Sequence, residues 1–96
     1  MRKILVADDD KTCRDSIQKV FEREGYSVQA TGTVDAALEQ LASEKFDLVV
    51  CDYRMPGKTG MDLLVELNRL HESVPVLMIS AYVDAVVEAA ILDVVF

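Results

Sequence analysis

Cysteine, long apolar runs and an N-terminal targeting pattern are scarce or missing in this 96-residue sequence. Two cysteines, Cys13 and Cys51, are too few for a disulfide framework, so we interpret both as small buried hydrophobes in a reducing compartment. No apolar run approaches the roughly 20 residues that a membrane-spanning helix needs. The first residues also lack a secretory signal pattern. These absences argue against a disulfide scaffold and a membrane protein, and they predict a cytoplasmic location.

Positive charge is also in short supply. The sequence has 10 lysines and arginines against 17 aspartates and glutamates, a formal net charge of −7. This balance argues against a nucleic-acid-binding surface, whereas clustered carboxylates are suited to holding a divalent cation. Internal repeats, low-complexity tracts and linkers are missing too, and the length fits one domain over residues 1–96.

Short apolar runs alternate with segments of helical periodicity. The apolar runs, read as four strands, are 4–7, 26–30, 46–51 and 74–79, with the second more polar and nearer a sheet edge. The three helical faces between them are Cys13, Ile17, Val20 and Phe21; then Val34, Ala37, Leu38 and Leu41 behind a Thr33 N-cap; then Leu63, Leu64, Leu67 and Leu70. Such alternation predicts an α/β fold, a doubly wound parallel sheet with helices on both faces.

Acidic and hydroxyl side chains follow the predicted strands. Asp8, Asp9 and Asp10 follow the first strand, Asp52 closes the third, and Ser80 closes the fourth. Because function in such sheets gathers at the carboxyl ends of the strands, we expect the carboxylates to converge there and to hold Mg²⁺. Any one aspartate of the first group could instead cap the following helix, and we interpret Asp10 as a capping or solvent-facing residue.

Three motifs resemble those of response-regulator receiver domains of two-component signalling. They are ILVADDD at 4–10, LVVCDYRMPG at 48–57 with Gly60, and VLMISA at 76–81, in the family's order and at about its spacing. The resemblance is good over residues 1–82 and implies a flavodoxin-like fold. The sequence Ser80-Ala81-Tyr82 is similar to receivers of enhancer-binding transcription activators.

The resemblance implies a role for each site residue. Asp52 would be the phospho-acceptor, taking a phosphoryl group from a sensor histidine kinase or a phosphotransfer protein. Asp9, Asp52 and the backbone carbonyl of Arg54 would bind Mg²⁺ directly, with Asp8 acting through water. Ser80 would be the switch hydroxyl that bonds a phosphoryl oxygen. The implied function is a signalling switch and not an enzyme.

The end of the sequence departs from the family pattern. Receivers usually have a fifth strand ending in Lys-Pro and then a fifth helix, whereas the last lysine here is Lys58. We therefore expect an incomplete fifth strand and fifth helix, with residues 83–96 forming a divergent apolar tail. This tail is predicted to pack into a partner copy as a homodimer, or to fold back within one monomer. The alternative function is a degenerate or truncated receiver that serves in dimerisation or docking without a productive phosphorylation cycle.

Other interpretations match the residues less well. Gly57-Lys58-Thr59 is similar to the end of a P-loop, but the glycine required five positions earlier is replaced by Asp52. Phosphatases with an aspartyl nucleophile typically have a second acid two residues later, where this chain has Arg54. A flavin site would need a hydroxyl- and glycine-rich phosphate cradle that no strand-end loop offers. His71 is interpreted as a solvated helix-end residue.

Overall fold

The structure, a computed structural model, describes residues 2–53, 55, 57–70 and 73–79. Within these ranges strands and helices alternate strictly along the chain. The elements are β1 (Lys3–Ala7), α1 (Lys11–Arg23), β2 (Ser27–Thr31), α2 (Val34–Ser43), β3 (Leu48–Asp52), α3 (Gly60–Arg69) and β4 (Val76–Ile79).

The four strands form one parallel sheet in the order β2-β1-β3-β4. The predicted α/β class with a parallel sheet is confirmed, and β2 is at an edge of the described sheet, as its more polar sequence indicated. In the pairing of β1 with β3, Ala7 lies opposite Cys51. The residues that follow, Asp8 and Asp52, are thereby brought to the same end of two adjacent strands.

Alternation along β1 and β3 builds a core on each face of the sheet. One core contains Leu5, Val49 and Cys51 together with residues of α2 and α3, among them Ala37 and Leu63. The other core packs Ile4, Val6, Val50 and Ile79 against Phe21 of α1. Because both faces are covered, the central strands are continuous apolar runs. Each large side chain buried here stabilises the fold by roughly 1.5–3 kcal/mol.

Local capping determines where the helices begin and end. Thr33 accepts a hydrogen bond from the backbone N–H of Ala36 at 3.1 Å, so the N-cap predicted for α2 is observed. At α3, Thr59 and Asp62 satisfy each other's backbone N–H groups in a capping box. Gly25 follows α1 with a φ of 91°, a conformation that glycine adopts without strain.

Some predicted details differ from the structure. Val20 is 39% exposed and Leu70 is 50% exposed, so neither belongs to the buried face to which periodicity assigned it. Leu70 is the C-cap of α3, where the helix has already left the core. The fourth strand begins at Val76 and not at residue 74, because Pro75 lacks an N–H and contributes only its carbonyl, which accepts from the Val49 N–H at 2.9 Å.

Among the helices that the structure describes, none has the length and apolar character that crossing a bilayer requires. The predictions about an incomplete fifth strand, a missing fifth helix and the tail at 83–96 all fall outside the described residues.

Candidate functional site

Three carboxylates meet at the carboxyl end of the sheet. Asp8 follows β1, Asp9 comes next, and Asp52 is the last residue of β3. One carboxylate oxygen from each lies within 4.8 Å of the others. The convergence arises from sheet topology, since adjacent parallel strands present their carboxyl ends at the same edge. The structure thus brings together three of the residues selected from the sequence as metal ligands.

Two of the three carboxylates in this cluster are buried. Asp8 is 1% exposed and Asp52 is 2% exposed, while Asp9 is open to solvent. The Oδ1 atom of Asp8 accepts a hydrogen bond from the backbone N–H of Asp10 at 2.9 Å. Its Oδ2 atom is buried and has no hydrogen-bond partner among the described residues. Buried carboxylates with an unsatisfied oxygen are stable only when a positive charge or a proton compensates them.

A hard divalent cation suits this donor set. Mg²⁺ prefers carboxylate oxygens and commonly uses one or two of them together with waters. The orphaned Oδ2 of Asp8 supplies a buried acceptor, and Asp9 supplies an oxygen on the solvent side where waters can complete the coordination. The described residues Asp8, Asp9 and Asp52 therefore fit Mg²⁺.

Asp10 has a different structural role from Asp8 and Asp9. Its side chain accepts from the backbone N–H of Cys13 at 3.2 Å, and its carbonyl accepts from the Arg14 N–H at 2.9 Å. Asp10 is the N-cap of α1, as interpreted from the sequence. The capping alternative raised for all three aspartates therefore applies to this one, and it leaves Asp8 and Asp9 directed to the cluster.

The start of α3 fixes the position of Asp52. The Tyr53 N–H donates to the carbonyl of Ile79 at 2.6 Å, which ties the end of β3 to β4. The Gly60 N–H donates to the carbonyl of Tyr53 at 3.0 Å. A Cβ at position 60 would lie 3.0 Å from the Asp52 backbone oxygen, tighter than most Cβ contacts, so glycine allows this close approach without a backbone shift.

Both cysteines are affected by the acidic cluster. Cys51 is buried, as predicted, and burial raises the pKa of its thiol to about 12, with Asp52 and Asp8 adding to the shift. Cys13 is only partly buried and does not lie among apolar neighbours alone, which corrects its interpretation as a buried hydrophobe. Burial and then the nearby Asp8 carboxylate raise the pKa of Cys13 to about 12 as well.

Other residues selected from the sequence have separate outcomes. Arg54, Ser80 and His71 lie outside the described residues, so the roles predicted for them stay predictions. Lys58 is exposed, as expected for a loop lysine, and its Nζ is 2.7 Å from Oδ1 of Asp35 at the start of α2. This ion pair links the loop after Asp52 to α2, a contact that the sequence did not indicate.

Sequence reasoning missed Arg14, whose guanidinium reaches back across the turn. Its Nη1 donates to the backbone carbonyl of Asp8 at 2.8 Å. A half-buried arginine on a polar helix face gives no signal in periodicity or composition, and a bond to a backbone carbonyl leaves no pattern in side-chain chemistry. Only a comparison of related sequences could have singled it out.

The model of one protein family matches almost the whole chain. The model, described as the response regulator receiver domain, covers residues 4–95. The chain belongs to the response regulator receiver domain family. The resemblance drawn from the three sequence motifs is thereby confirmed. Receiver domains are signalling switches of two-component systems, and this is the class of function that the chain's membership indicates.

Known response regulators resemble this receiver domain in sequence and in structure. Transcriptional regulatory protein ZraR of Escherichia coli (strain K12) is 40% identical over 88 residues, which is 90% of this chain and 20% of ZraR. The chain thus spans about a fifth of the length of that relative. The receivers expected from Ser80-Ala81-Tyr82 are those of enhancer-binding transcription activators, and ZraR is named a transcriptional regulatory protein.

Two solved structures carry the same fold. Response regulator TrrA of Thermotoga maritima, solved in complex with Mg²⁺-BeF, superposes with a TM-score of 0.80 at 29% identity, over 85% of this chain and 71% of that one. TrrA in complex with histidine kinase ThkA gives a TM-score of 0.79 at 28% identity, over 88% of this chain and 73% of that one. The flavodoxin-like receiver fold is therefore confirmed.

Proposed function

We propose that this receiver domain is a phospho-acceptor switch that takes a phosphoryl group on Asp52 with Mg²⁺ bound by the acidic cluster. The observation that carries the proposal is the convergence of Asp8, Asp9 and Asp52 within 4.8 Å, with one buried oxygen of Asp8 left unsatisfied. Mg²⁺ would be held by Asp9 and Asp52, with Asp8 acting through water and Arg54 contributing its backbone carbonyl.

The reaction uses Asp52 as a nucleophile. A carboxylate oxygen of Asp52 attacks the phosphorus of a phosphohistidine, the P–N bond breaks, and the histidine nitrogen leaves with the bonding electron pair and takes up a proton. The product is an acyl phosphate on Asp52. When bound, Mg²⁺ neutralises charge on the carboxylates and on the transferring phosphoryl oxygens.

The chain's own residues position these groups. Asp52 is fixed by β3 and by the close approach of Gly60, so its carboxylate stays at the carboxyl end of the sheet without needing to reorganise. Ser80, at the end of the apolar run that forms β4, would bond a phosphoryl oxygen after transfer and draw the following loop inward. The chain acts as a switch with no separate substrate to turn over.

A histidine kinase is the proposed donor, and the exchange would take place in the cytoplasm. The complex of TrrA with histidine kinase ThkA supports this assignment, since TrrA has the same fold. A phosphotransfer protein would present the same phosphohistidine chemistry. Association of two copies through residues 83–96 is a further proposal, for which the oligomeric state in solution is the test.

The first prediction concerns acceptance of the phosphoryl group by Asp52. We expect wild type to gain one phosphoryl group from acetyl phosphate or phosphoramidate in the presence of Mg²⁺, and Asp52→Asn to gain none. The variant should gain none because its neutral amide is not a nucleophile. Intact-mass spectrometry measures the added phosphoryl group in both proteins. Asp15→Asn, which removes a partly exposed carboxylate on α1 that pairs with Lys11, is the matched control and should be phosphorylated as wild type is.

Two results would contradict the proposal. Incorporation that persists in Asp52→Asn would assign the phosphoryl group to another residue. No incorporation in folded wild type with Mg²⁺ present would favour the alternative function, a receiver that serves in dimerisation or docking without a phosphorylation cycle.

A further inference from the structure

Arg14 joins the first helix to the acidic turn that precedes it. Its guanidinium Nη1 donates to the backbone carbonyl of Asp8 at 2.8 Å, across the whole Asp8–Asp10 turn. Arginine offers a planar group with several N–H donors, so it can hold a carbonyl in a fixed direction better than a flexible ammonium can. The contact therefore restrains the backbone that carries Asp8 and Asp9.

Gly32, in the connection between β2 and α2, leaves room for this guanidinium. A Cβ at position 32 would lie 3.1 Å from Nη1 of Arg14 and 4.0 Å from the Asp8 carbonyl oxygen. Gly32 is not among the described glycines with a positive φ, so the backbone conformation does not explain the choice of glycine there. The short distance to Nη1 of Arg14 is the steric constraint that the described residues place on position 32.

The contact completes a set of restraints on Asp8. The backbone N–H of Asp8 donates to the Thr31 carbonyl at 3.0 Å, and its Oδ1 accepts from the Asp10 N–H at 2.9 Å. With its carbonyl held by Arg14, Asp8 is fixed at three points. The remaining polar atom of the side chain is the buried Oδ2. It has no hydrogen-bond partner among the described residues and is the oxygen left for the proposed metal site.

We propose that Arg14 is a positioning residue for the Mg²⁺ site: its guanidinium, seated against Gly32, holds the β1–α1 turn so that Asp8 and Asp9 converge on Asp52. This inference rests on the proposed function, because it assumes that the cluster binds Mg²⁺. Arg14 acts through the backbone of Asp8 and does not touch the metal. Groups that orient metal ligands in this way typically change metal affinity by about 10- to 100-fold when they are removed.

A simple electrostatic role predicts the opposite sign. A cation near the cluster repels Mg²⁺, so loss of the Arg14 charge alone would tighten Mg²⁺ binding, most visibly at low salt. Substitutions that keep the charge therefore isolate positioning. Arg14→Lys keeps the charge and loses the planar guanidinium. Gly32→Ala keeps the charge, but its methyl group would lie 3.1 Å from Nη1, so the guanidinium must shift by a few tenths of an ångström.

The second prediction is a double-mutant cycle on Mg²⁺ affinity, measured by isothermal titration calorimetry on the whole chain. We expect Arg14→Lys to weaken Mg²⁺ binding by about 10-fold and Gly32→Ala by several-fold. In the Arg14→Lys background, Gly32→Ala should have little further effect, because the group that its methyl displaces is already gone. Arg23→Lys, at the far end of α1, is the matched control and should bind Mg²⁺ as wild type does.

Urea unfolding of the metal-free proteins separates positioning from general damage. A purely structural role would lower stability while leaving the affinities of the folded proteins equal, and it would overturn the inference. Effects that simply add in the double variant would overturn it too. Wild-type Mg²⁺ binding with unchanged affinity in the variants refutes the role of Arg14 alone, whereas no Mg²⁺ binding by wild type refutes this inference together with the proposed metal site.

Discussion

At the scale of single residues, burial and the carboxylates at the carboxyl end of the sheet raise the pKa of neighbouring thiols. Cys51 is fully buried and lies next to Asp52 on β3. Burial and the negative charges of Asp52 and Asp8 both disfavour the thiolate, which is why the pKa of this thiol is raised to about 12. The thiol therefore stays protonated at neutral pH and packs as a small apolar group one residue from the proposed nucleophile.

The third prediction is that the Cys51 thiol makes the fold less stable in alkali. Because its pKa rises from 9.0 to about 12 on folding, the folded protein holds the proton more tightly than the unfolded chain does. The resulting stabilisation is complete below the unfolded pKa and is lost as pH rises through the folded one, by at most about 1.4 kcal/mol per pH unit. We expect Cys51→Ala to flatten the fall in unfolding free energy between about pH 8 and about pH 10, measured by urea denaturation.

Val50→Ala is the control for that experiment. Val50 is equally buried on the neighbouring position of β3 but cannot titrate, so its truncation should lower stability by a similar amount at both pH values. If Cys51→Ala retained the wild-type pH slope, the alkaline loss of stability would belong to other groups.

At the scale of elements, the junction of β3 with α3 determines where Asp52 lies. A Cβ on Gly60 would meet the Asp52 carbonyl oxygen at 3.0 Å and the Tyr53 Cα at 3.2 Å. Both are backbone atoms and cannot move aside as a flexible side chain could. Any side chain at position 60 therefore requires a shift of a few tenths of an ångström between the start of α3 and the end of β3.

The fourth prediction follows from this contact. We expect Gly60→Ala to lower the free energy of unfolding by about 1–3 kcal/mol, the usual effect of overpacking, and to weaken Mg²⁺ binding by displacing Asp52. Urea denaturation and calorimetric titration measure the two effects. Gly25→Ala is the control, since Gly25 has a φ of 91° in open space far from the cluster and should lose stability through strain alone. Equal Mg²⁺ affinity in both variants would show that Gly60 does not position the site.

Element order, the parallel sheet and the Thr33 cap of α2 could be predicted from sequence because their signals are local, whereas the Thr59–Asp62 capping box of α3 was not predicted. Apolar runs identified β1 and β3, and a threonine before an apolar period identified the start of α2 at Thr33. The convergence of Asp8 with Asp52 also followed, since parallel pairing forces it. By contrast, the contacts of Arg14 with Asp8 and of Lys58 with Asp35 join different elements through long side chains. Neither contact leaves a periodic signal.

The exposure of residues at the borders of the apolar helix faces also could not be predicted from the sequence. Val20 and Leu70 have the spacing of buried residues, yet they are 39% and 50% exposed. Periodicity gives a direction on the helix and not the extent of the surface that covers it. Arg54 and Ser80 lie outside the described residues, and their predicted roles are carried by the family resemblance alone.

At the scale of the whole molecule, the sheet gathers carboxylates that are distant in sequence in a protein already carrying a net charge of −7. Their carboxylate oxygens lie within 4.8 Å of one another, so the like charges repel. Asp8 and Asp52 are also buried away from water. The metal-free fold therefore carries an unfavourable electrostatic term, which the Mg²⁺ of the proposed function would remove. If the three aspartates bind Mg²⁺ as proposed, metal binding and stability are coupled through the same carboxylate atoms.

The fifth prediction concerns this coupling. Mg²⁺ should stabilise wild type against urea by about 2.7 kcal/mol at a concentration 100 times its dissociation constant, and EDTA should reverse the effect. We expect Asp8→Asn to be more stable than wild type without metal, by about 1 kcal/mol, because it removes one like charge and its amide oxygen can keep the hydrogen bond from Asp10. The same variant should gain much less from Mg²⁺.

Two controls separate site binding from charge screening by salt. NaCl at matched ionic strength should reproduce little of the Mg²⁺ effect, since screening acts on the whole surface and does not need the cluster. Asp47→Asn removes one carboxylate at the opposite end of the sheet, beside Lys3, and should respond to Mg²⁺ as wild type does. If NaCl matched Mg²⁺, or if Asp8→Asn responded as fully as wild type, the stabilisation would come from general screening of an acidic protein. The three aspartates would then not form a metal site.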